Sequence, residues 1–180
     1  LWRCHVDFMT GLIKPLLIKP LKIGPRIFSS NLIQGPLAGV SAMPFRQGLW
    51  DFGGLGYCVT EMISAKTLLT PNAPKRYLHI GEGEGPVCFQ LSGNQPDELA
   101  HAAYQAVMLG ADVIDLNCGC PVDKIRKKQS GSAWLSKSTE LYQAIKAMRA
   151  SIGPQIPLSI KIRVDGASDD HWNQDVVKAT

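Results

Sequence analysis

The run Asn117-Cys118-Gly119-Cys120-Pro121 sets a carboxamide beside two thiols where an apolar stretch gives way to polar residues. A thiol fixed between Gly119 and Pro121, just past the end of a strand, is placed to act on a bound ligand. Asn117 can grip the edge of a planar base. The plainer reading makes Cys118 and Cys120 two small residues around a glycine turn, since a lone cysteine is ordinarily structural. A Cys-x-Cys metal site needs a second His or Cys pair at ligand spacing, and none lies nearby, so no metal is expected.

Other chemistry-bearing residues repeat this placement. Glu61, Gln90, Asn117 and Lys161 each close a short apolar run. Lys161, in Ile160-Lys161-Ile162-Arg163, puts a charge inside an apolar strand, which needs a partner because burying it bare costs several kcal/mol. Asp115 or Glu61 could pair with it, or an anionic ligand could. Lys124, Arg126, Lys127 and Lys128 form a cationic run directly after the thiol loop. Such a run is usually a solvated face, but beside a site it can hold phosphates.

The elements that must position these groups alternate. Strands are expected at 32–37, 57–62, 87–91, 113–116 and 158–164, with helices at 43–51, from Pro96, at 138–150 and at 169–180. Pro96 with Asp97 and Glu98 suits a helix start, and Leu99, Ala103, Ala106 and Gly110 give that helix a close-packing face. Ser138 is the expected cap of the next helix, whose stripe is Leu141, Ile145 and Met148 and whose stop is Gly153-Pro154. Gly81-Glu82-Gly83-Glu84-Gly85 reads as an exposed turn.

Strand–helix alternation with apolar strands means a parallel sheet covered by helices, whose ligand groups gather at the C-terminal strand edge. No Gly-x-Gly-x-x-Gly turn follows the first strand, so a dinucleotide-binding fold loses its main support. The expected fold is α/β, a (β/α)8 TIM barrel truncated after about five strands. Residues 1–20 read as a poorly ordered extension and 21–180 as the partial barrel, with 21–30 covering its bottom and the fifth strand left as an open edge.

Composition agrees with a folded, soluble domain: 180 residues, 45% hydrophobic and 19% charged. The net charge of +4 sits in the first 30 residues, where Arg3, Lys14, Lys19, Lys22 and Arg26 face Asp7 alone. Overall charge therefore says little about nucleic acid, and local clusters must carry that argument. Five cysteines (Cys4, Cys58, Cys88, Cys118, Cys120) form no disulfide framework, which fits the cytoplasm, and Cys58 and Cys88 read as core. No apolar run reaches membrane-spanning length. Met9 is a natural start for translation.

The Asn-x-Gly-Cys-Pro sequence resembles that of the tRNA dihydrouridine synthases, especially the bacterial B branch. Four more segments fit in order: Pro36-Leu37-Ala38-Gly39, Thr60-Glu61-Met62, the Lys124 to Ala133 stretch, and Lys161-Ile162-Arg163. Leu37 stands where the family has Met, and Trp134 where it has a small aliphatic residue. The resemblance spans about Leu21 to Asp165. It implies an FMN-dependent enzyme that reduces the uracil C5–C6 bond in tRNA with NAD(P)H. Cys120 would be the catalytic acid. Pro36, Leu37, Ala38, Gln90 and Lys161 would bind FMN, and Asn117, Lys124, Arg126, Lys127, Lys128 and Arg163 the tRNA. The family's later flavin-phosphate turns and helical domain find no match, so an incomplete or inactive fragment is expected, monomeric when full length. Two alternatives stay open. One is another FMN barrel such as a dihydroorotate dehydrogenase; the other is a non-catalytic remnant with weak RNA binding.

Overall fold

The computed structural model describes residues 18–163, apart from Asn72 and Pro74. The expected extension at 1–20 falls mostly outside the described residues, and the helix at 169–180 wholly so. Five parallel strand positions form a curled half-barrel sheet in the order β3 (Ile33–Gln34), β4 (Tyr57–Val59), β6 (Val87–Ser92), β7 (Val113–Cys118) and β8 (Leu158–Ile162). The expected strand at 57–62 is strand only over its first half, and a second short piece follows just beyond it. β4 stops at Val59, and β5 (Ile63–Ser64) resumes pairing with β6 at Ile63↔Leu91. Between them the Thr60 hydroxyl accepts the Gln90 N–H at 3.2 Å, taking the place of a ladder bond.

Period-two alternation decides the rest. One face of the sheet carries Val87, Phe89 and Leu91, then Ile114, Leu116 and Cys118, then Leu158, Ile160 and Ile162. These pack against α4 (Pro96–Met108) and α6 (Ser138–Ile152), through Leu99, Ala102, Ala103 and Ala106 on one and Leu141, Ala144 and Met148 on the other. Small residues on α4 let the backbones approach, while each fully buried Leu or Met contributes about 1.5–3 kcal/mol. Both helices lie where the periodicity puts them. Ser138, however, is the first helical residue rather than the cap; Lys137 takes the cap position and no side chain bonds there.

The opposite face is the interior of the half-barrel. At its lower end Tyr57, Val59, Cys88 and Val113 form a second apolar cluster. A hairpin absent from the sequence reading closes it: β1 (Leu21–Ile23) pairs antiparallel with β2 (Arg26–Phe28). Buried Phe28 lies 5.1 Å from the Tyr57 ring, and Arg26 pairs with Asp112, whose other oxygen accepts the Val87 N–H. Residues 21–30 thus cover the bottom, as their position before the first strand implies.

The glycine–glutamate run at 81–85 is not simply an exposed turn. The Glu84 side chain is fully buried and accepts from Arg46 of α1 (Met43–Phe52), Nε to Oε1 at 2.6 Å. Arg46 also donates to the carbonyls of Ser41 and His79, and Glu84 accepts the Gly81 N–H, so no charge is left bare. Three short helices fill the connections: α2 (Ala65–Leu68), α3 (Lys75–Leu78) and α5 (Asp123–Arg126).

Candidate active site at the C-terminal edge of the sheet

Above the apolar floor the interior face turns polar. Strand register places Gln90 beside Asp115 and Asp115 beside Ser159, and one step higher Asn117 beside Lys161. These side chains form one hydrogen-bonded line. Ser159 Oγ donates to Asp115 Oδ1 at 2.7 Å, Gln90 Nε2 donates to Asp115 Oδ2 at 2.7 Å, and Asn117 Nδ2 donates to Gln90 Oε1 at 2.8 Å. Asn117 Oδ1 then accepts the backbone N–H groups of Gly119 (3.2 Å) and Cys120 (3.0 Å). Asp115 and Ser159 were not among the expected site residues. Their signal was available, since each lies two positions before an expected one and so shares its face.

Burial pushes the Asp115 carboxyl up to about 6, against the opposing pull of the Ser159 and Gln90 hydrogen bonds and the Lys161 charge. Lys161 is exposed on this face and forms no ion pair within 4 Å among the described residues, so neither Asp115 nor Glu61 neutralises it there. Glu61 has a different partner: its Oε2 accepts the Gly39 N–H at 2.7 Å. That bond ties the turn after β3, with Pro36, Leu37 and Ala38, to the second strand position. Buried Ser41 braces the same turn, its Oγ 3.0 Å from the Leu37 carbonyl and amide.

The thiol loop is clasped from two sides. A Cβ on Gly119 would come within 3.1 Å of the backbone at Ile162 and Arg163, so glycine lets the loop lie against the end of β8. On the other side Ser132 N donates to the Cys120 carbonyl at 3.0 Å. Gly131, at φ +64°, sits where a Cβ would be 2.7 Å from that oxygen. Cys120 is half-buried, whereas Cys118 points the other way into the helix-packed core and is fully buried. Burial, reinforced by the Asp115 charge, pushes the Cys118 thiol far up. Cys118 is therefore a protonated core residue at neutral pH. Cys58 and Cys88 are buried too, and all four described cysteines are free.

Beside the loop opens a cavity of about 830 Å³ whose lining includes Arg126, Lys127, Gln129, Ser132 and Arg163. The cationic run therefore divides: Arg126 and Lys127 join Arg163 at this cavity, while Lys124 and Lys128 are exposed and do not line it. Trp134 has a structural explanation. It fills the core between sheet and helices, and its indole N–H donates to the Gly93 carbonyl at 3.0 Å. Among the described residues no cluster of three His, Cys, Asp or Glu side chains could hold a metal ion, and no helix is long and apolar enough to cross a membrane.

The family model described as dihydrouridine synthase matches residues 33–179, which takes in the half-barrel and every group above. The chain belongs to the dihydrouridine synthase family. It is 37% identical over 152 residues to tRNA-dihydrouridine synthase B of Vibrio parahaemolyticus, covering 83% of this chain and 46% of that protein. It is 36% identical over 160 residues to tRNA-dihydrouridine synthase B of Pseudomonas aeruginosa, covering 88% and 47%. To the probable tRNA-dihydrouridine synthase 1 of Synechocystis it is 34% identical over 146 residues, covering 81% and 41%. The chain thus spans about half the length of these curated relatives. Solved structures support the barrel architecture. An old yellow enzyme homologue from Zymomonas mobilis matches with a TM-score of 0.63 at 14% identity, over 92% of this chain and 69% of that one. Morphinone reductase in complex with tetrahydroNAD matches at 0.58 and 13%, over 90% and 69%.

Proposed function

We propose that this chain carries the thiol-bearing part of a tRNA dihydrouridine synthase, a cytoplasmic enzyme that uses FMN and NAD(P)H and acts as a monomer when full length. The observation that carries the reading is the position of Cys120. It is held at the sheet edge where Gln90, Asn117 and Lys161 gather, beside a cavity lined by Arg126, Lys127 and Arg163.

The residues present suit a flavin. Gln90 and Asn117 each keep one amide N–H beyond the bonds they make to each other and to Asp115, which suits carbonyl oxygens on a planar ring. Lys161 offers a cation, without an ion pair among the described residues, for an anionic edge. Pro36, Leu37 and Ala38 offer a largely apolar turn, pinned by Glu61, against which a ring could lie. A flavin held by these residues and reduced by NAD(P)H would supply hydride-transfer chemistry toward uracil C6. Cys120 then gives its thiol proton to C5, so that a hydride and a proton together saturate the double bond. Asn117 orients the loop that holds this thiol and faces the base. Arg126, Lys127 and Arg163 hold RNA phosphates in the adjoining cavity, with Lys124 and Lys128 adding longer-range attraction.

The test is direct. The purified full-length protein should be yellow and should form dihydrouridine in unmodified tRNA when given NADPH. Cys120→Ala should keep the yellow colour and lose the product. A colourless protein, or equal product from the variant, would defeat the proposal.

A further inference from the structure

We infer that Asp115 is a positioning residue: it sets the direction in which the Gln90 and Asn117 amides point and, through them, holds the Cys120 loop. The inference rests on the proposed role of Cys120 and adds how that thiol is placed.

From the loop to Asp115 the line of hydrogen bonds has a fixed sense. At the loop end two backbone N–H groups, those of Gly119 and Cys120, can only donate, so Asn117 must turn its oxygen toward them. Its nitrogen then faces Gln90 and needs an acceptor, which Oε1 supplies. The Gln90 nitrogen is left facing Asp115 at 2.7 Å. Only a group that accepts at this position completes the line, and an ionised carboxylate accepts on both oxygens. A donor or an apolar side chain would leave the Gln90 N–H buried without a partner, in a residue that is 1% exposed.

The far side of Asp115 is adaptable. Ser159 donates to Oδ1 at 2.7 Å, but a hydroxyl can rotate and accept instead. Asparagine at 115 could therefore keep an oxygen toward Gln90 and offer its N–H to Ser159. Leucine could not. Both side chains keep the forked shape of aspartate, leucine being the larger, and they differ in whether the line survives.

The experiment uses the full-length protein and three variants, Asp115→Leu, Asp115→Asn and Gln90→Met, the last cutting the line at its middle. Hydrogen exchange, read by mass spectrometry on the peptide covering 117–121, reports the Gly119 and Cys120 amides directly. Asp115→Leu and Gln90→Met should exchange there about tenfold faster than wild type, with the helix-packed peptides unchanged, and Asp115→Asn should match wild type. Uridine reduction on the same samples should show kcat lowered in the first two variants with KM for tRNA unmoved. Should Asp115→Leu fail to fold, Gln90→Met and Asp115→Asn still decide the matter. Wild-type protection of the loop in Gln90→Met would overturn the inference, and so would a loop as exposed in Asp115→Asn as in Gln90→Met. A wild-type protein that reduces no uridine while showing the expected exchange pattern would defeat the proposed activity and leave the positioning role standing.

Discussion

The two faces of β6 and β7 are made by the same residues taken alternately, yet they obey different rules. Outward, Val87, Phe89, Leu91, Ile114, Leu116 and Cys118 are wholly buried apolar groups that touch helices. Inward, an apolar floor of Cys88 and Val113 gives way to Gln90, Asp115 and Asn117, which are buried as well but bonded to one another. The first set packs without regard to direction, while the second fixes which way each polar group points. The two thiols separated by Gly119 show the contrast most sharply: Cys118 belongs to the outer face and Cys120 to the loop that the inner face holds.

The largest expected effect breaks that thiol pair apart. In the full-length protein Cys120→Ala should lower dihydrouridine formation by a factor on the order of 100 to 10,000, the usual worth of a positioned acid. Cys118→Ala should leave the rate nearly intact and lower the denaturant midpoint instead. A swap of these two outcomes would erase the distinction between the faces.

On the outer face Phe89→Ala should lower unfolding free energy by about 3–5 kcal/mol through the cavity it leaves. Gln90→Ala, one residue along, should cost about 1–3 kcal/mol for the partners it strands. Urea titration of both variants compares the faces within one strand.

Asp115 gives the inner face a pH signature. Its carboxyl is pushed up from an ordinary 3.8 to about 6, so the folded protein holds this proton more tightly than the unfolded chain. The group's contribution is therefore most favourable below about pH 4 and is lost as pH rises to about 6, a change on the order of 3 kcal/mol. The stability difference between wild type and Asp115→Asn should shift in that window and be flat above it. Denaturation at pH 4, 5, 6 and 7 measures it.

Smaller effects are expected from the exposed cations. Lys161→Ala should weaken flavin retention by about 1.5–3 kcal/mol, read by fluorescence titration. Arg126→Ala, Lys127→Ala and Arg163→Ala should each reduce the salt dependence of tRNA binding by about one ion. Lys124→Ala and Lys128→Ala should reduce it less.

What could be read in the sequence follows from how far apart the cooperating residues lie. Their place at the end of a short apolar run exposed Gln90, Asn117 and Lys161, and the three- and four-residue stripes of α4 and α6 were equally plain, because run ends and helical periods are local properties. The floor hairpin was not legible, since two strands of three residues are too short to show a period. Nor were the bonds from Glu61 to Gly39 or from Arg46 to Glu84, which join positions far apart in the chain. The break at Thr60 was hidden for a related reason: a hydroxyl replacing a ladder bond leaves the apolar pattern unchanged. Ser138 misled because its type suits a cap while the backbone turned one residue earlier.

The hairpin has a kinetic consequence. With the Phe28 ring tilted against Tyr57 and Arg26 latched to Asp112, the lower end of the half-barrel is stoppered, which leaves the polar end where Cys120 stands for ligands to enter. Under the proposed activity the nicotinamide donor and the nucleic acid would share one doorway and take turns in it. Double-reciprocal plots of rate against NADPH at several tRNA concentrations should then give parallel lines, with each partner inhibiting competitively against the other when in excess.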